Sequence, residues 1–158
     1  MTSLVDTPTG TSARSTSRSS SYESEIDLTA ESLKTVRRIV RAHLRLWGVD
    51  ADQAECVLLC VNELLTNVLL HTTPDPCGHR TAILLVQRVA GGITTVVTDK
   101  DPRSPVRTTP GPLDESGRGL NLVRALVDEI QISPTQSGKD VWFFVADPDT
   151  CALPALSH

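Results

Sequence analysis

Aromatic side chains are scarce in this 158-residue chain: Tyr22, Trp47, Trp142, Phe143 and Phe144 make up 3% of it. A stacking platform for single-stranded nucleic acid has almost nothing to be built from, and the core must be mainly aliphatic. A basic excess is also missing. Fifteen Lys and Arg stand against nineteen Asp and Glu, for a net charge of -4, which argues against a phosphate-backbone binder and hence against direct nucleic-acid binding. No apolar run approaches the roughly 20 residues needed to cross a bilayer. No membrane partner is expected.

The four cysteines contain no C-x-x-C pair. Cys56 and Cys60 are four apart in a helical pattern, while Cys77 and Cys151 stand alone, so neither a disulfide framework nor a zinc framework is indicated. A metal held by Cys56, Cys60 and a distant third ligand is the weaker alternative. Free thiols suit a reducing, cytoplasmic setting. Neither a hydrophobic signal core nor the amphipathic face of a transit peptide is present near the start.

Residues 1–25 are rich in Ser and Thr and poor in apolar side chains, so they cannot repay the cost of ordering and read as a disordered tail. A single domain is expected over 26–147, with a short tail over 148–158. Leu33, Val36, Val40, Leu44 and Trp47 recur every three or four residues, predicting a helix from Ser32 to Trp47, capped by Thr29 or Ser32 and ended by Gly48. A second helix is predicted from Asp50 or Asp52 to about His71, with Pro74 barring continuation. Strands are predicted over 81–88 and 93–99, joined through Ala90-Gly91-Gly92. Residues 100–116 carry four prolines and read as a long functional loop, followed by a helix from Leu120 to about Glu129. A last hairpin is predicted near 130–133 and 139–146. Antiparallel strands with helices on one face give an α+β, two-layer sandwich.

Three separated pieces carry the chemistry. On the second helix, Glu63, Asn67 and His71 fall at i, i+4 and i+8 and share one face. Asp99 stands where a strand runs into the long loop, and a carboxylate there can accept a hydrogen bond from an exocyclic amine. Gly117-Arg118-Gly119-Leu120 marks the point where loop becomes helix, and glycines there let backbone N–H groups approach an anion. An Asn oxygen suits Mg2+, which keeps several waters and binds phosphates with few protein ligands. A Glu one turn away can orient or deprotonate an attacking hydroxyl.

In this order and spacing the pieces resemble the GHKL ATPase superfamily, over roughly residues 26 to 146, and most of all its single-domain anti-sigma-factor serine/threonine kinases. The resemblance implies the Bergerat-type sandwich, with ATP and Mg2+ as cofactors. It makes Glu63 the catalytic base, Asn67 the Mg2+ ligand, and His71 a further member of that box. Asp99 becomes the adenine-binding acid, and Gly117, Arg118, Gly119 and Leu120 the phosphate-binding box. Gly138-Lys139-Asp140-Val141-Trp142 resembles the closing hairpin, and Arg37 a residue facing partner or nucleotide. The chain departs from the pattern at Asp101, where many members have Gly, and at Ser116 and Arg118, where small residues are common.

The resemblance implies a kinase that phosphorylates an antagonist protein in a transcriptional partner switch, binding that antagonist, a sigma factor or both. A homodimer is one open arrangement. The alternative is a nucleotide-dependent module that sequesters a partner without phosphorylating it. A sensor histidine kinase fits less well, because His43 is followed by Leu44-Arg45-Leu46-Trp47, without the acidic neighbour and proline of a phosphoacceptor motif.

Overall fold

A computed structural model of the chain describes residues 20–100 and 115–148, with the side chains of 115–119 outside the description. Its elements run β1 (Ser21–Asp27), α1 (Ala30–Leu46), α2 (Ala51–His71), β2 (Thr81–Val89), β3 (Gly92–Asp99), α3 (Glu115–Leu126), β4 (Glu129–Thr135) and β5 (Gly138–Ala146). The five strands form one antiparallel sheet in the order β1-β2-β3-β5-β4. The helices lie on one face, with α2 central: it packs against α1, α3 and strands β2, β3 and β5. This is the expected two-layer α+β sandwich.

Local chemistry sets the helix ends. Thr29 accepts a hydrogen bond from the Ser32 amide (2.9 Å) and donates its own amide to Ser32 Oγ (2.8 Å). Both expected cap residues therefore act together, as a capping box. At the other end Gly48 takes a left-handed φ of 73°, which favours glycine and stops the helix. Asp50 caps α2 by accepting from the amides of Asp52 and Gln53. Gln53 is itself buried and donates to the Val145 carbonyl (3.1 Å) and Asp147 Oδ1 (3.0 Å), tying the start of α2 to the end of β5.

By length and composition α2 is apolar enough to cross a membrane, with a mean hydropathy of 1.4. Counting uninterrupted apolar runs misses this, because Asn62, Glu63, Thr66 and Asn67 break the run. The structure accounts for the apolarity by packing: Val57, Leu58, Cys60, Val61, Leu64, Leu65 and Val68 are all buried in the core. The buried face of α2 is thus wider than a single seam.

In the sheet, alternate residues divide cleanly between faces. Ala82, Leu84, Val86, Thr95, Val97, Val141, Phe143 and Val145 are buried beneath the helices. Phe143 is the one aromatic buried in a core that is otherwise aliphatic among the described residues. Trp142 and Phe144 point the other way, sharing the half-buried open face with Ile83, Leu85 and Val96. Val89 pairs with Gly92, leaving Ala90-Gly91 as a two-residue turn in which Gly91 has φ 88°. Pro134 lies in β4, an edge strand, where its missing N–H is tolerated.

The structure corrects the sequence reading in three places. β1 begins at Ser21, so residues 21–25 are a strand and not tail. Its inward positions are Tyr22, Ser24 and Ile26, and the serine dilutes the apolar alternation that would have revealed it. α3 begins at Glu115, five residues before the expected Leu120, and ends at Leu126. The last turn is also tighter than the expected 134–138, since Thr135 already pairs with Gly138. The expected tails within 1–19 and 149–158, and most of the loop expected over 100–116, lie outside the described residues.

Leu44 is fully buried and Leu46, two residues on, is 78% exposed. Leu44→Ala should therefore cost about 2–5 kcal/mol, whereas Leu46→Ala should stay within about 0.5 kcal/mol. Urea denaturation of the two variants checks the contrast.

Candidate functional site

A helix enclosed by neighbours on several sides keeps only a narrow free strip. On α2, Cys56, Cys60, Glu63 and Asn67 follow one another at steps of four, three and four, which places them on one stripe. At its first turns the stripe meets α3: the Cys56 thiol donates to the Leu126 carbonyl (3.3 Å). Further along the same stripe Glu63 and Asn67 are half-buried, and His71, the last residue of α2, is exposed. Glu63 and Asn67 make no hydrogen bond to another side chain or to backbone of a neighbouring element among the described residues.

Asp99 ends β3, opposite Ala82 of β2. It belongs to the helix-facing set of the sheet and its side chain is only 4% exposed. A buried carboxylate needs partners. Oδ1 accepts from the Lys139 amide (3.2 Å), and Oδ2 stands 3.4 Å from Lys139 Nζ. The turn from β4 to β5 closes directly over this group. A Cβ added at Gly138 would overlap both Asp99 Oδ1 and the Asp99 carbonyl. Only glycine lets the turn come so near.

Gly117, Arg118, Gly119 and Leu120 lie within the first turns of α3, not in a loop ahead of it. The free amides of a helix belong to its first turn, so within α3 they are those of Glu115, Ser116 and Gly117. Leu120 packs partly against the core, and Val123 is fully buried, so the box is carried by a docked helix. Arg37 on α1 donates to Asn62 Oδ1 (3.4 Å) and lines a shallow groove with Leu33, Val36, Leu58 and Val61. That puts it beside the residue preceding Glu63, on the α1 side of α2.

The structure thus brings Glu63 and Asn67 onto one stripe of α2, the stripe that meets α3 at Cys56, and buries Asp99 under the last hairpin. Sequence reasoning left out three participants: Asn62, which holds Arg37, and Gly138 and Lys139 as the wall around Asp99. The register that sets Asp99 beside Lys139 joins β3 to β5 across 40 residues, and no local pattern encodes it. His43, weighed as a phosphoacceptor, has its Nδ1 3.0 Å from the Ile39 carbonyl and its ring between Tyr22 and Trp47. It is a packing residue.

Among the described residues no three His, Cys, Asp or Glu side chains gather into a metal cage. A single oxygen ligand such as Asn67 accords with an ion that keeps most of its shell as water and phosphate. The Asp99 carboxylate, with two partners for about four lone-pair positions, has acceptor capacity left for an amine. Both residues fit the groups the resemblance implies.

Comparison with known proteins agrees with this fold. The family model described as the histidine kinase-like ATPase domain matches residues 26–145. The chain belongs to the histidine kinase-like ATPase (GHKL) family. Among solved structures, it is similar to that of the RsbU and RsbW domains of Rv1364c from Mycobacterium tuberculosis, with 19% identity and a TM-score of 0.63 over 80% of this chain and 32% of that one. The histidine kinase domain of the Erythrobacter litoralis EL346 blue-light activated histidine kinase matches with 24% identity and a TM-score of 0.49, over 67% of this chain and 50% of that one. This chain therefore spans about a third to a half of the length of those two chains. No curated protein matches it. At 19% identity the likeness to the first of these is one of fold.

The thiols on the α2 stripe differ in character. The Cys60 side chain hydrogen-bonds to Cys56 and holds that thiol below its ordinary value, while the same bond and burial push Cys60 up. Brief treatment with iodoacetamide at neutral pH should label Cys56 well before Cys60, as read by peptide mass spectrometry.

Proposed function

We propose that the chain is an ATP-binding protein serine/threonine kinase of the anti-sigma-factor type, which phosphorylates an antagonist protein in a cytoplasmic partner switch. The observation that carries this reading is the pairing of two features in a GHKL fold. Glu63 and Asn67 share one half-buried stripe of α2 with no side-chain partner among the described residues, and an acceptor carboxylate is buried at the end of β3. The RsbW-domain neighbour supports the kind of partner, an antagonist, a sigma factor or both, through fold alone.

Each residue has a separable task. Asp99 accepts a hydrogen bond from the exocyclic amine of adenine and so discriminates against a base with a carbonyl at that position. The first-turn amides of α3, with Gly117 to Leu120, cradle phosphate oxygens. Asn67 holds the metal and His71 extends that box, while Arg37 faces the partner or nucleotide from α1. Bound Mg-ATP supplies the phosphoryl group and the neutralising charge. Glu63 orients the incoming Ser or Thr hydroxyl and takes its proton as the oxygen bonds to the γ-phosphorus and ADP departs.

Binding and chemistry should separate. Asp99→Asn should weaken ATP binding by calorimetry, and native protein should prefer ATP to GTP; equal affinity for the two would remove Asp99 as the adenine reader. Asn67→Ala should lower both Mg-ATP affinity and phosphotransfer. Glu63→Gln should keep nucleotide and partner but lose about 10²- to 10⁴-fold in rate. Native protein that retains an antagonist in an ATP-dependent way yet never phosphorylates it would show a sequestering module instead.

A further inference from the structure

Asp99 and Lys139 are unequal halves of one ion pair. The Asp99 side chain is 4% exposed and that of Lys139 is 41% exposed. Asp99 is fixed in the sheet by its pairing with Ala82 and walled by Gly138. It has no room to turn away. The Lys139 ammonium ends a flexible four-carbon stem and has no other acceptor among the described residues, so it can swing into water at small cost. Oδ2, the oxygen nearest Nζ, is the one not already bonded to the Lys139 amide.

We propose that Lys139 sets the affinity of the nucleotide site by competing for Asp99: its ammonium satisfies the buried carboxylate in the empty protein and must yield Oδ2 to the incoming base amine. The inference rests on the reading of Asp99 as the adenine acceptor. Binding then exchanges one charge-assisted hydrogen bond for another. Part of the gain from the base is offset by the pair it displaces. The Lys139 amide, bonded to Oδ1 through the backbone, stays in place and keeps the carboxylate aimed.

The signature is a trade between stability and affinity that a merely structural residue would not show. Removing the ammonium leaves a buried carboxylate short of a partner, so the empty protein should be less stable. The same removal frees Oδ2, so Mg-ATP should bind more tightly. Lys139→Met, which keeps the stem and loses the charge, should lower the melting temperature of the empty protein and lower the Kd for Mg-ATP about three- to tenfold by calorimetry. Lys139→Arg, which keeps a cation, should stay near native in both. In an Asp99→Asn background, Lys139→Met should no longer change the Kd. Unchanged or weaker Mg-ATP binding by Lys139→Met, with native protein still binding, would overturn this role alone and leave the nucleotide reading standing. Absence of Mg-ATP binding by native protein and both Lys139 variants would overturn both.

Discussion

The rest of the structure depends on α2 being buried on three sides. Sandwiched between α1 and α3 and laid across β2, β3 and β5, it contributes Val57, Leu58, Cys60, Val61, Leu64, Leu65 and Val68 to the core. At roughly 1.5–3 kcal/mol for each buried large aliphatic side chain, no other helix could be lost at greater cost. That burial also decides where polar chemistry can be placed. A helix so enclosed has little free surface, and the half-buried Glu63 and Asn67 lie on the stripe that meets α3 at Cys56. Their side chains are held by the most constrained element in the fold, which suits groups that must be positioned to a fraction of an ångström.

A second constraint acts at the opposite end of the chemistry. Asp99 is a carboxylate under a helical layer, and it is tolerated there because the β4–β5 turn supplies an amide and an ammonium from one residue. The turn reaches it only because Gly138 has no side chain. The approach of β5 to β3 is therefore set by a polar requirement as well as by the packing of Val141 and Phe143. Sheet order follows: β5 must lie beside β3, which sends β4 to the edge, where Pro134 needs no partner for the N–H it lacks.

Much of this was legible in the sequence where the signal is local. The apolar spacing of α1 and α2, the caps at Thr29 and Asp50 and the turn at Gly91 each depend on residues a few positions apart. The site residues were legible as types and spacings, since Glu63, Asn67 and His71 mark a polar stripe on an apolar helix whatever its tertiary neighbours. What escaped was either diluted or long-range. β1 was hidden by Ser24 at an inward position. The start of α3 was misplaced because Gly117 and Gly119 have low helix propensity, and docking of Val123 against the core overrides it. The closure of Lys139 over Asp99 needs the pairing of strands that are not consecutive, and only the folded sheet reveals it.

The α2–α3 seam links these observations. The Cys56 thiol bonds to the last carbonyl of α3, so the helix carrying Gly117 to Leu120 is anchored at its C-terminal end to the helix carrying Glu63 and Asn67. A helix anchored there, with Val123 buried three residues before its end, is held to the core over its last turns. Asp99 and α2 belong to the packed body of the sandwich, whereas the first turn of α3 lies beyond the buried Val123. On the kinase reading proposed above, the packed body of the sandwich reads the base and positions the metal, and the first turn of α3 meets the phosphates. This division follows from where the core ends.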